Sequence, residues 1–450
     1  MPSSRAHVAR ALAASILSLA ALAAAEAWEV HPLISYPMLE SLPEAAAAGE
    51  ARAEALEDFV LAAEDELAAL FAAEEAWARK NVPEHPPLPE ALAFRATGDR
   101  SDARLRLLRA LRMAPIAKIP LYVQKKTGEE VREGRRLEPV DLTYLKDIAW
   151  MEGLPYESIL AGEKVSALAV CATASDEADL GLDIGLYEDN GSAWGKDYGL
   201  GVQPFGNPNL EYGSQAPIHM GLYQEAAVLY KFGPFLRKTL PEWRIRQCKA
   251  LAELAFRTGH DYWGWRFAGW GLHYLADLCQ PYHARILPGF STARALWINA
   301  LSMLGNGKPY AKAVQLVSNR HMALERYGRE LLEKAYREGG ADAPLFAALG
   351  RNEAVPAWED SFPRTRISEA ASKAAAKTDR LVAKSFPKRL VSDPKVELAS
   401  APELYDLMGA VASEKGAKSA EALEAAMAGL LAPCSAYGKS YLLSILAGRR

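Results

Sequence analysis

The chain has little cysteine, little histidine and no excess of positive charge, and each shortage excludes something. Its 450 residues contain four cysteines, Cys171, Cys248, Cys279 and Cys434, with no C-x-x-C spacing, which excludes zinc ribbons and thioredoxin-type chemistry. Their pairing is not legible. With 52 Lys and Arg against 56 Asp and Glu, the formal charge is −4, so there is no global basic field for holding duplex nucleic acid or an anionic membrane by electrostatics alone. A polyanionic partner must be held locally. No long run of alternating β-branched residues appears, no internal repeat, no low-complexity linker and no phosphate-cradling glycine loop. Half the residues are hydrophobic and 24% charged, ordinary globular composition that excludes disordered, collagen-like and rod-like chains.

What is present begins with a targeting signal. Arg5 and Arg10 precede an apolar run over 11–25, and Ala25 and Ala27 place small residues where a signal peptidase reads. That run is shorter than the roughly 20 residues that span a bilayer. The expectation is a signal peptide over 1–27, cleavage before Trp28, and a secreted or periplasmic protein whose net charge falls from −4 to −5.

The remainder is patterned for helices. Leu56, Phe59, Val60, Ala63, Leu67, Leu70 and Phe71 recur at three and four and predict one amphipathic helix over 51–80. Further helical periodicity covers 102–113, 218–239, 243–279, 293–304, 308–337, 365–384 and three later segments. Between them, 188–217 is rich in Gly, Asn and Pro with no helical period, and its Trp194, Tyr198, Phe205 and Tyr212 predict an ordered irregular loop. The expected fold is all-α, a multi-helix bundle over 28–340 with an insertion at about 51–165 and a helical C-terminal extension over 341–450.

The chemistry is expected at the histidines. His273 and Asp277 are i and i+4, so on a helix the imidazole and carboxylate share a face. Pro281 then breaks the helix and lets His283 turn back. His321 and Glu325 form a second i, i+4 pair on 308–337. Two helices that each offer an inward His and carboxylate are a recurrent way of building a metal centre in an all-α core. His85, in a proline-rich loop, reads as solvent-exposed, and His260 as a helix-start residue. Trp263, Trp265, Phe267 and Trp270 read as core packing behind the metal helix, with a stacking platform as the alternative.

Trp28 followed by His31, together with His273-Tyr-Leu-Ala-Asp277-Leu-Cys-Gln-Pro-Tyr-His283-Ala, resembles the zinc-dependent phospholipase C and single-strand-specific nuclease superfamily. Members are helical and hold three zinc ions in a cleft, and the central signature, H-x-x-x-D-x5-H with Gln-Pro before the last His, is matched without a gap. The resemblance implies that His273 binds the first zinc and that Asp277 bridges the paired zincs. It assigns His283, His321 and Glu325 to the lone zinc, and Trp28, through its free amine and carbonyl, with His31 to the third. It also implies a further Asp and His on the first zinc, matched by His219 and by Asp179, with Asp176 and Asp183 as alternatives. The intervals 28–179, 179–219 and 283–321 are longer than the family's, and 341–450 has no counterpart.

Zinc in such a site supplies an activated water for in-line attack on phosphorus, with Asp179 and Asp277 as the catalytic carboxylates. The implied activity is that of an exported phosphodiesterase acting on phospholipid headgroups in transient contact with a membrane surface. A single-strand-specific nuclease is the alternative within the same chemistry. A non-catalytic, zinc-stabilised envelope protein is the alternative outside it.

Overall fold

The computed structural model describes residues 28–206, 211–340, 343–351 and 355–449, so the expected signal peptide lies outside the described residues. These residues are 59% helical and 3% strand, which makes the fold all-α. Helix α1 (Pro32–Glu40) is the first helix among the described residues, with proline at its first position, where the missing N–H costs nothing. Strand β1 (Glu50–Arg52) follows, then a short helix Leu56–Ala62 and helix α2 (Glu64–Asn81). The predicted single helix over 51–80 is therefore corrected. Residues 50–52 are drawn into strand pairing, and the backbone kinks at Ala63, where Glu64, Asp65 and Glu66 favour the start of a new helix dipole.

Strand β2 (Tyr122–Gln124) pairs antiparallel with β3 (Tyr156–Ser158), and β1 pairs with β4 (Lys164–Ser166). In the second ribbon Ala51 faces Val165, so segment 51–165 leaves and rejoins the bundle at one place. Helix α3 (Ala167–Ala174) is capped by Ser166, whose hydroxyl accepts from the Ala169 amide. The stretch predicted as helical over 218–239 forms only the short pieces Ala216–His219, Ala227–Phe232 and Pro234–Arg237, a second correction. Pro217, Gly221, Gly233 and Pro234 interrupt it.

Helices α4 (Pro241–Arg257) and α5 (Asp261–Cys279) replace the continuous run expected over 243–279 and form an antiparallel pair turned at Gly259, whose φ of +84° suits glycine. Helices α6 (Thr292–Met303), α7 (Lys308–Arg337), α8 (Ser368–Ser385) and α9 (Ala417–Leu446) complete the bundle. One hydrophobic core runs from Trp28 to Ile445, so the C-terminal helices pack into the same core as α5. Among the described residues no helix is long and apolar enough to cross a membrane.

Trp263, Trp265, Phe267 and Trp270 are fully buried along α5, consistent with core packing. Burial of such rings contributes about 2–3 kcal/mol each, which fixes α5 as the reference element of the site. His260 precedes α5 and holds the Glu54 carboxylate at 2.8 and 3.0 Å. The expectation that His85 is exposed is corrected. Its side chain is buried edge-on to Trp243, 3.0 Å from Glu75.

Candidate metal centre

The site is assembled around the last two turns of α5, which carry His273 and Asp277 on one face. The helix stops at Cys279, Gln280 turns extended, and Pro281 prevents continuation. His283 then closes back, its amide donating to Gln280 O at 3.0 Å and its carbonyl accepting from Gly221 N at 2.8 Å, which ties it to the segment bearing His219. Helix α3 lies close against α5 because position 269 is glycine, and a Cβ there would collide with Cys171 and Ala174. Beyond α3 the chain makes a wide turn over Ala178–Leu182, where Gly181 at φ +107° bends it. That bend buries Asp176, Asp179 and Asp183 against α5. His31 enters from the start of α1, and α7 contributes His321 and Glu325 one turn apart.

The two oxygens of Asp277 face different partners. Oδ1 lies 3.2 Å from His31 Nε2, and Oδ2 lies 2.8 Å from His219 Nδ1 and 3.4 Å from His273 Nε2. Asp179 spans the other side, Oδ2 3.8 Å from His31 Nδ1 and Oδ1 3.7 Å from His273 Nε2 and 3.9 Å from His219 Nδ1. Three groups result in which buried donor atoms lie within 4.8 Å of one another and could hold a metal ion. They are His31, Asp179 and His273, then His219, His273 and Asp277, then His283, His321 and Glu325.

Surrounding contacts fix the tautomer of several rings. His273 Nδ1 donates to Ser175 O at 2.9 Å, leaving Nε2 basic and directed at the carboxylates. His219 Nε2 sits 3.3 Å from Asp183 Oδ2, leaving Nδ1 toward Asp277 and Asp179. His283 Nδ1 donates to His219 O at 3.2 Å. In the third group His321 Nε2 lies 2.5 Å from Glu325 Oε1 without hydrogen-bond alignment, as two donor atoms aimed at one point do. Asp176 Oδ2 is also buried with no hydrogen-bond partner. Orphaned buried acceptors beside oriented imidazoles fit a cation better than a hydrogen-bonded core.

The electrostatics agree. Burial alone would lower the His31 pKa, but hydrogen bonds to Asp176 and Asp277 override it and push it up to about 10. His219 likewise rises to about 10 against its burial, through Asp183 and Asp277. His273 falls well below the usual range through burial, and burial raises Asp179 to about 7. Asp183 behaves differently. Burial would raise it, yet the Arg244 guanidinium at 2.6 Å and His219 bring it down to about 2.

Without metal, then, His31 and His219 carry protons at pH 7, and a metal must displace them. Their contribution to the metal-free fold is complete below pH 6.5 and is lost as pH rises through about 10. Adding zinc to metal-free protein at pH 7 is expected to release roughly two protons per chain from these rings, read with an indicator dye in weak buffer. Uptake of zinc without proton release would contradict the ligand set.

Of the residues expected from sequence, His31, Asp179, His219, His273, Asp277, His283, His321 and Glu325 come together in these groups. Trp28 is buried beside them, its Nε1 donating to Ala276 O at 3.0 Å. Its role through a free amine requires cleavage before it. Asp176 accepts from the His31 amide at 2.9 Å, while Asp183 accepts from Tyr274 and Arg244 and orients His219. Sequence reasoning missed Ser175, Arg244 and Tyr274, and also Gln215, whose Nε2 donates to Asp179 at 2.9 Å, and Tyr282, whose ring stacks on His321 with centroids 5.2 Å apart, neutral or cationic partners with no metal-ligand spacing to announce them. A cleft reaches the cluster at Glu325, between Glu29, Trp150, Tyr212, Arg326 and Tyr405. In comparisons with known proteins, no family model, no curated protein and no solved structure matches the chain.

Proposed function

We propose that the protein is an exported, zinc-dependent phosphodiesterase that hydrolyses phospholipid headgroups. The observation that carries this reading is the division of Asp277, one oxygen toward His31 and the other toward His219 and His273, which suits a carboxylate shared by two cations. Imidazole and carboxylate donors in buried groups of three suit zinc, whereas magnesium and calcium prefer more oxygens.

Zinc bound there supplies an activated water and neutralises charge on the phosphodiester. The chain's own residues do the rest. Asp179 is held in place by Gln215 Nε2 at 2.9 Å, with its oxygens toward His31, His273 and His219, where it would orient the attacking water. Arg326 borders the cleft beside Glu325, held by Glu29 at 2.9 Å, and offers a guanidinium to the nonbridging oxygens of an entering phosphodiester. Asp183 and Ser175 keep His219 and His273 in their ligating tautomers.

The aromatic cleft wall, with Trp150 Nε1 donating to Tyr212 OH at 3.1 Å, favours one second reading, a single-strand-specific nuclease whose bases stack there. The deciding experiment assays zinc-loaded protein side by side on a phosphatidylcholine analogue and on single-stranded DNA. Turnover of the first alone is the expected result. Turnover of DNA alone transfers the site to the nuclease reading, and turnover of neither, with zinc bound, makes the centre structural.

A further inference from the structure

Between the feet of the site, His283 and His321, the chain makes an excursion whose charge is unlike the rest of the molecule. From Leu278 to Leu324 there is no Asp or Glu, while Arg285, Arg294, Lys308, Lys312 and Arg320 are all cationic, in a chain of net charge −4. Arg285 and Arg320 are tied inward to Glu225 and Asp379. Arg294, Lys308 and Lys312 are exposed.

The apolar residues are distributed just as unevenly. The inner face of α6 and the first turns of α7 share a small cluster of their own, Ile298, Tyr310, Ala313 and Val314 with Phe290, separate from the main core. On the outer face Ala293, Trp297, Ala300 and Leu304 recur at four, three and four, one stripe of the helix, and all are exposed. Trp297 is 65% exposed and Leu304 83%, the latter at the tip before Gly305-Asn306-Gly307. A large aromatic and a leucine left in water on one stripe, flanked by cations in a segment that carries no acid, have the pattern of an interfacial membrane helix.

We propose that the α6–α7 hairpin is a docking surface for anionic phospholipid bilayers, with Trp297 and Leu304 entering the headgroup boundary and Arg294, Lys308 and Lys312 facing lipid phosphates. The charge complementarity selects this occupant. A cationic, acid-free tip on an acidic protein is attracted to an anionic leaflet within a Debye length, and indole sits at the membrane–water interface. The inference deepens the phospholipid reading but stands on the hairpin. His321 lies about 20 Å along α7 from Lys308, so docking and hydrolysis are separable by mutation.

The test is sedimentation of the full protein with vesicles of equal phosphatidylglycerol and phosphatidylcholine, and with pure phosphatidylcholine vesicles. The expected result is binding to the mixed vesicles, weakened by salt, that falls at least about tenfold in Trp297→Ser/Leu304→Ser. Hydrolysis of a short soluble phosphodiester should be unchanged in that variant, which also shows that it folds. Lys308→Gln/Lys312→Gln should bind more weakly and with less salt dependence. Equal sedimentation of the Trp297/Leu304 variant and wild type overturns the proposal, as does absence of wild-type binding to the mixed vesicles. Light scattering that shows a dimer dissociated by the same variant assigns the stripe to a second copy and overturns it too. Vesicle binding without phospholipid turnover supports the docking surface while removing the enzymatic reading. Turnover of vesicles with no loss in the variant does the reverse.

Discussion

Asp277→Asn is expected to lower phosphodiester turnover by at least about a hundredfold while leaving the protein folded. Asparagine keeps the shape of the side chain but replaces one acceptor oxygen with an NH2 donor and removes the charge. Both oxygens are engaged in the native protein, one at 3.2 Å from His31 and the other at 2.8 Å from His219, so either orientation of the amide opposes one set of ring nitrogens. The helix that carries the residue is anchored by fully buried Trp263, Trp265 and Trp270, which do not depend on the carboxylate. His283, His321 and Glu325 retain their own donor set, so partial metal content should persist. Turnover within a few fold of wild type would show that this cluster is not where the reaction occurs.

The second large effect is on stability. Arg244 is fully buried on α4 and donates to Asp183 Oδ1 at 2.6 Å, to Arg112 O at 2.9 Å, and to Gln247 and Leu111. Arg244→Met strands the Asp183 carboxylate in the core, and removing one partner of such a pair costs about 3–5 kcal/mol. The expected readout is a large drop in the denaturant midpoint. Arg244→Met/Asp183→Leu removes both charges and should regain much of the loss, but it also takes from His219 the partner that fixes its tautomer, so zinc affinity should stay low. A single variant within about 1 kcal/mol of wild type would mean that Tyr274 and His219, and not Arg244, satisfy Asp183.

These two residues mark how far the sequence could be read. Asp277 was legible because part of its setting is local, His273 one helical turn before it and His283 just past a helix-breaking proline, although its nearest partners, His219 and His31, are distant in sequence. The His321 and Glu325 pair was legible for the same reason. Arg244 was not, because its meaning comes from Asp183, 61 positions earlier, across a turn that only Gly181 permits. The three aspartates at 176, 179 and 183 have similar sequence surroundings and differ in what they meet. Asp176 binds the His31 amide, Asp179 faces three imidazoles, and Asp183 is neutralised by a guanidinium.

The same limit applied to the fold. Periodicity located α7 to the residue because 308–337 has neither internal glycine pairs nor competing pairings. It overran where tertiary demands intervened, at β1, which pairs with residues 164–166, and at Gly259, where a turn divides two helices of the same apolar pattern. Hydrophobic period reports which face is buried, and the ends of an element are set by partners far away in sequence.

The most direct measurement is metal analysis of freshly purified protein beginning at Trp28, combined with anomalous scattering at the zinc edge from its crystals. The account predicts about two to three zinc equivalents per chain, with peaks among His31, Asp179, His219, His273 and Asp277 and a separate one at His283, His321 and Glu325. Calcium in place of zinc, or no metal at all among these residues, would contradict it.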